Sequence, residues 1–164
     1  MLFLKGVTML KADSLRETLT RANKWCRANP EAFTVFVEEG NIETTGETPS
    51  FMYRYTLVLF VMNFAGDIDD FTLPLMAWLW HNQPNLLLNP EKNRDVKFTT
   101  LINNDDTADI LFEMPLCERV KVTLDANGIP RAEHLPEPKP RIPSADGDWS
   151  TIFEDVTWEA DANE

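Results

Sequence analysis

Residues 51–64, reading Phe-Met-Tyr-Arg-Tyr-Thr-Leu-Val-Leu-Phe-Val-Met-Asn-Phe, constrain the fold more than any other stretch of this chain. Tyr53, Tyr55, Leu57, Leu59 and Val61 alternate onto one face of a strand, while Val58, Phe60, Met62 and Phe64 make the opposite face apolar as well. An antiparallel strand with one wet face alternates apolar with polar, so a strand apolar on both sides has to be covered twice. A chain of 164 residues fits one domain, whose helices can cover one face. The second face is left to a loop, the C-terminal segment or a neighbouring subunit.

The remaining elements follow from periodicity. Ala12 to Asn29 reads as one amphipathic helix, with Asp13 and Ser14 as N-cap oxygens, Leu15, Leu19, Ala22 and Cys26 near one face, and Pro30 ending it. Phe33 to Val37 is a strand that continues through Gly40 into a polar stretch ending near Pro49, and it pairs with 51–64 as a long hairpin. Phe71 to Asn82 predicts a second helix carrying Leu75, Trp78, Leu79 and Trp80, with Pro74 tolerable in its first turn and Pro84 stopping it. Two more strands run from Val96 to Ile102 and from Ile110 to Leu124. In the last, Ile110, Phe112, Met114 and Leu116 face one way, and Pro115 marks an edge or a bulge. The expected class is α+β: a mainly antiparallel sheet of about four strands with two packed helices in the order α-β-β-α-β-β.

From Asn127 the character changes. Pro130, Pro136, Pro138, Pro140 and Pro143 fall within fourteen residues, which reads as a stiff linker unable to join a ladder. Beyond it Trp149, Ile152, Phe153 and Val156 stand at i, i+3, i+4 and i+7, with Trp158 close by and acids between them. So short an amphipathic helix needs a surface on which to order, either its own domain or a partner's groove. These five residues are the candidate partner-binding site. The expected organisation is a possible upstream extension at 1–8, an α+β domain at 9–125, a Pro-rich linker at 126–147 and an acidic amphipathic arm at 148–164.

Charge and motif exclude more than they assign. The formal charge is −12, and the last 39 residues hold 9 acids against 3 bases, so phosphate-driven nucleic-acid binding is not expected. There is no Gly-rich phosphate loop and no serine elbow, and His81 and His134 lack the spacing of a zinc cage or a triad. A calcium loop counted from Asn103 puts Ala108 where glycine is required and Met114 where glutamate should stand. Asp67, Asp69 and Asp70 read as capping and dipole-complementing acids ahead of a helix. No catalytic residue, cofactor or metal is expected, and nothing resembles a membrane span or an export signal. Cys26 and Cys117, on a helix and a strand, suit a reducing cytoplasm.

Five blocks, in order, then carry a resemblance. They are Met9-Leu10-Lys11-Ala12-Asp13-Ser14-Leu15-Arg16, Arg54-Tyr55-Thr56-Leu57, and Phe64-Ala65-Gly66-Asp67-Ile68-Asp69 with Pro74, Ala77-Trp78-Leu79 and Asn82-Gln83-Pro84. Ile102-Asn103-Asn104-Asp105 and Leu116-Cys117-Glu118-Arg119 complete them. The chain resembles, from Met9 to about Val122, the tail completion protein R family of P2-like contractile-tailed bacteriophages and prophages. The resemblance implies a structural, tail-terminator-like protein without catalytic residues. It implies a ring, commonly a hexamer, at the head-proximal end of the tail, stopping growth of tube and sheath. The implied partners are other copies of itself, the tube and sheath proteins and the head-tail connector or neck proteins. It would be built in the host cytoplasm, reside in the virion tail and let DNA pass through an acidic lumen. A monomeric adaptor working through its aromatic arm is the alternative.

Overall fold

The computed structural model describes residues 10–140 and 143–162, so the expected extension Met1 to Thr8 lies outside them. β2 (Phe51–Phe64) is central, flanked by β1 (Phe33–Thr44) and by β4 (Ala108–Leu124), all antiparallel. The far edge of β4 is shared by two shorter strands, β3 (Lys97–Ile102) and β5 (Pro130–His134). The fold is α+β, as expected, with five strands rather than four. The fifth strand corrects the reading of the Pro-rich segment. Pro130 only opens β5, opposite Leu124, and Arg131 to His134 supply the ladder that proline cannot.

Tyr55, Leu57, Leu59 and Val61 of β2 meet Ile110, Phe112, Met114 and Leu116 of β4 in one buried layer. Leu15 and Leu19 of α1 (Leu10–Ala22) and Phe71, Leu75, Trp78 and Leu79 of α3 (Asp69–Asn82) cover it. Phe64 joins this layer, although strict alternation places it with Val58 on the other face. One extra residue lies between Val61 and Phe64, and Asn63 takes φ 56°, a conformation asparagine tolerates better than most residues. The bulge turns Phe64 inward against Trp25 and Phe71. A second bulge falls between Glu38 and Gly40, where a Cβ on Gly40 would stand 2.7 Å from the Arg54 carbonyl oxygen.

The single helix expected over 12–29 is two. α1 ends at Ala22 and α2 (Lys24–Ala28) restarts after Asn23, whose side-chain oxygen accepts from the Cys26 N–H at 3.0 Å and caps it. Asn23 is 5 % exposed, and its Nδ2 donates to the Asp70 carbonyl at 3.0 Å. That carbonyl is the one left without a helical donor by Pro74. Pro74 is the sixth residue of α3, past the first turn where it was expected, and so withholds the i→i−4 bond to Asp70. One amide thus caps one helix and repairs the other. Asp13 and Ser14 are not caps, because α1 begins at Leu10; the Ser14 hydroxyl accepts from Trp78 Nε1 at 3.0 Å.

Pro84 does not merely stop α3. It opens α4 (Pro84–Leu88) at a position where a missing N–H costs nothing. Asp69 and Asp70 occupy the first turn of α3 and complement its dipole, but no side chain caps it. The C-terminal segment forms α5 (Pro143–Phe153) and a short α6 (Glu159–Ala162), so the one helix expected through Val156 breaks after Phe153. Among the described residues no helix is long and apolar enough to cross a membrane.

Candidate assembly interface

Three features could meet other molecules: the arm, the uncovered sheet face and the sheet edges. The arm lies back on its own domain. Trp149 stacks on Trp80 of α3 with centroids 5.7 Å apart, and Phe153 packs beside Trp149 at 5.9 Å. The Trp80 indole N–H donates to Glu154 at 3.1 Å, His81 Nε2 meets the Phe153 carbonyl at 2.9 Å, and Lys139 pairs with Glu154. These contacts, the Lys139 bond first and the Trp80 bond next, hold the Glu154 carboxyl below its usual range. Trp158 lines a groove of about 600 Å³ whose other walls include Trp25, Phe64 and Pro74, and Asp161 pairs with Arg21 of α1 at 3.2 Å. Of the five predicted anchors, then, Trp149 and Phe153 come together on α3 and Trp158 lies on the α1–α2 side. Ile152 is 62 % exposed and Val156 half-buried.

The second face of β2 is covered far less. The helices gather on the opposite side, α1 against α3 and β1, α5 against α3, α6 against α1. On the open side a row runs Phe36–Val58–Glu113–Lys97 across four strands. Val58 is shut off from water at 1 %, whereas Phe60, Met62 and Leu111 are half-buried, Phe36 is 41 % exposed and Leu101 62 %. Among the described residues, the double cover that the sequence demands is therefore only partly supplied.

Reasoning from sequence missed a buried polar seam at one end of the core. β3 stops pairing at Glu113 and β5 starts at Val120, which leaves the edge of β4 open between them. Gln83, 3 % exposed, takes the Cys117 N–H at 3.2 Å, and Lys11 Nζ donates to the Cys117 carbonyl at 2.6 Å. Lys11 also donates to Gln83 Oε1 at 2.7 Å and pairs with Glu137 at 3.1 Å. Pro115, two residues back along the same edge, needs no partner for an N–H it lacks. Beside this patch the Tyr55 hydroxyl donates to Glu118 Oε2 at 2.5 Å, and His134 Nδ1 meets Glu118 Oε1 at 3.0 Å. Burial, and then the bond to Glu118, push the Tyr55 pKa far up, so it remains a donor. The signal was present: Glu118 falls on the apolar side of the β4 alternation, where an acid must find partners.

These groups tie β5 and the following segment to the core. Cys26 is buried, and that burial pushes its thiol up to about 12, which removes it as a nucleophile. Both cysteines are unpaired thiols. Among the described residues no group of three or more His, Cys, Asp or Glu could hold a metal ion.

Comparison with known proteins decides the family. The family model described as P2 phage tail completion protein R (GpR) matches residues 9–138. The chain belongs to this family. The tail completion protein R of Escherichia phage P2 is 38 % identical over 137 residues, covering 82 % of this chain and 88 % of its relative. No solved structure matches. The family match spans the seam as well as the sheet, since Lys11, Gln83, Cys117, Glu118, His134 and Glu137 all fall within 9–138. Residues from 139 onward, the arm at 148–164 among them, lie outside it.

Proposed function

We propose that this protein completes the contractile tail of a phage or prophage as a structural subunit, assembling into a ring at the head-proximal end. There it halts growth of tube and sheath and prepares the tail for joining to the head. The observation that carries the reading is the partly covered outer face of the sheet, exposed at Phe36 of β1 and Leu101 of β3, in a member of the tail completion R family. A subunit that leaves Phe36 and Leu101 in water supplies half of an interface. Its partners are other copies of itself, the tube and sheath proteins and the connector or neck proteins, and its place is the virion tail after assembly in the host cytoplasm. The monomeric adaptor has less support, because Trp149 is already stacked on Trp80 of α3 and Phe153 packs on Trp149.

The test is a prophage with this gene deleted, examined by electron microscopy after induction. The expected result is tails of irregular length that fail to join heads, with repair when the gene is supplied in trans. Tails of normal length carrying filled heads would refute the reading.

A further inference from the structure

We propose that copies of this chain join head to tail through the two open edges of the sheet, β1 of one copy pairing with β3 of the next. The inference rests on the ring reading and says which surfaces would close it. Three observations carry it.

The first is strand direction. Along β1-β2-β4-β3 every neighbouring pair is antiparallel, so β1 and β3 run oppositely at the two ends. A second copy placed in the same sense sets its β3 antiparallel beside β1, and the alternation continues across the joint. The second is exposure. All six residues of β3 are exposed, with Phe98 at 62 %, Leu101 at 62 % and Ile102 at 83 %. An apolar, unprotected edge strand is a template for pairing with another strand. On β1 the residues level with β3 include the exposed Thr34 and Phe36, and exposure is continuous from Glu38 to Thr44 beyond them.

The third observation is charge. The β1 edge carries Glu38, Glu39 and Glu43 and no base, while Arg94 and Lys97 flank and open β3. Glu43 is paired with Arg54 at 2.6 Å, which leaves Glu38 and Glu39 as the acids facing outward; among the described residues neither forms an ion pair, nor do Arg94 and Lys97. The row Phe36–Val58–Glu113–Lys97 sets Lys97 level with Phe36, so with no stagger at the joint β3 of one copy runs along β1 of the next from Phe36 back toward Phe33, its lysine one step from Glu38 on the same face, with the half-buried Asp95 the one acid between the two bases Arg94 and Lys97. A symmetric β1-to-β1 joint would oppose like acids instead, and opposed like charges on paired strands are destabilising. A joint between unlike edges repeats, and it closes into a ring when its rotation divides a full turn.

The experiment uses full-length protein, light scattering across concentration, and two variants, Glu38→Lys with Glu39→Lys and Arg94→Glu with Lys97→Glu. All four positions are exposed, and each variant is first shown to unfold in urea at the wild-type midpoint. Wild type is expected to associate. Each variant alone should associate at least about tenfold more weakly, and an equal mixture of the two should regain the wild-type mass, because every joint then pairs acid with base. Variants that both associate like wild type, or a mixture that regains nothing, would overturn the joint. Wild-type protein monomeric at every concentration would overturn it too. The tail-length phenotype of the deleted prophage is independent of all these outcomes, so failure of the joint and failure of the tail role are read separately.

Discussion

Replacing Asn23 by alanine tests whether one amide supports two helices. The variant removes the cap on Cys26 N–H, a loss of about 1 kcal/mol, and strips the Asp70 carbonyl of the amide donor that replaces the bond Pro74 cannot donate. That second loss sits at the low end of the 1–3 kcal/mol range for an orphaned group, about 1 kcal/mol, since the bond is only partly buried and water can reach Asp70. The expected total is about 2 kcal/mol, read as a lower urea midpoint with unchanged slope. Pro74→Ala restores an N–H aimed at Asp70, so in that background Asn23→Ala should cost about 1 kcal/mol less, a coupling within reach of a double-mutant cycle. A change within about half a kcal/mol, or strict additivity of the two substitutions, would refute the shared role.

Three further outcomes are expected. Trp78→Ala should cost about 3–5 kcal/mol in urea unfolding, as Trp78 is 2 % exposed and its N–H leaves Ser14 unpaired; a change within about half a kcal/mol would mean the helix layer repacks without it. Deleting Trp149 to Glu164 should leave the far-ultraviolet signal of the sheet intact while uncovering Trp80, seen as a red shift in its fluorescence; loss of cooperative unfolding would instead make the arm part of the core. Docking of the arm should depend on pH through Glu154, whose folded carboxyl titrates below its unfolded value. Its contribution is therefore complete above the unfolded carboxylate range, roughly pH 4–5, and is lost as pH falls through the depressed folded value; amide exchange in 148–161 that slows on acidification beyond the intrinsic effect would contradict the sign.

The long sheet strands were legible because their pattern has a period of two and few competing signals. β2 spans the predicted fourteen residues, and the inward side of β4 holds Ile110, Phe112, Met114 and Leu116 as read. Misreadings cluster where a single residue changes the geometry. Asn63 flips Phe64 to the other face through one left-handed residue, and Asn23 interrupts a helical pattern whose apolar spacing continues undisturbed across the break. Such turns are encoded in side-chain bonds to distant backbone, here to Asp70 from forty-seven residues away, which periodicity along the chain does not register.

The Pro-rich segment shows the same limit from the other side. Proline density argued for a strut, yet the run Arg131 to His134 between Pro130 and Pro136 is long enough to pair, and β4 leaves an edge for it beyond β3. What fixes it there is charge hidden in the core: Glu118 holds His134, and Lys11 holds Glu137 while bonding the open edge at Cys117. These polar residues and the apolar outer face of β2 answer different demands. The seam satisfies its own buried donors and acceptors, and among the described residues no buried side-chain polar atom lacks a partner. The outer face closes over Val58 but leaves Phe36 and Leu101 exposed. Among the described residues the polar groups are matched while Phe36 and Leu101 stay exposed, and that asymmetry makes self-association the first property to measure.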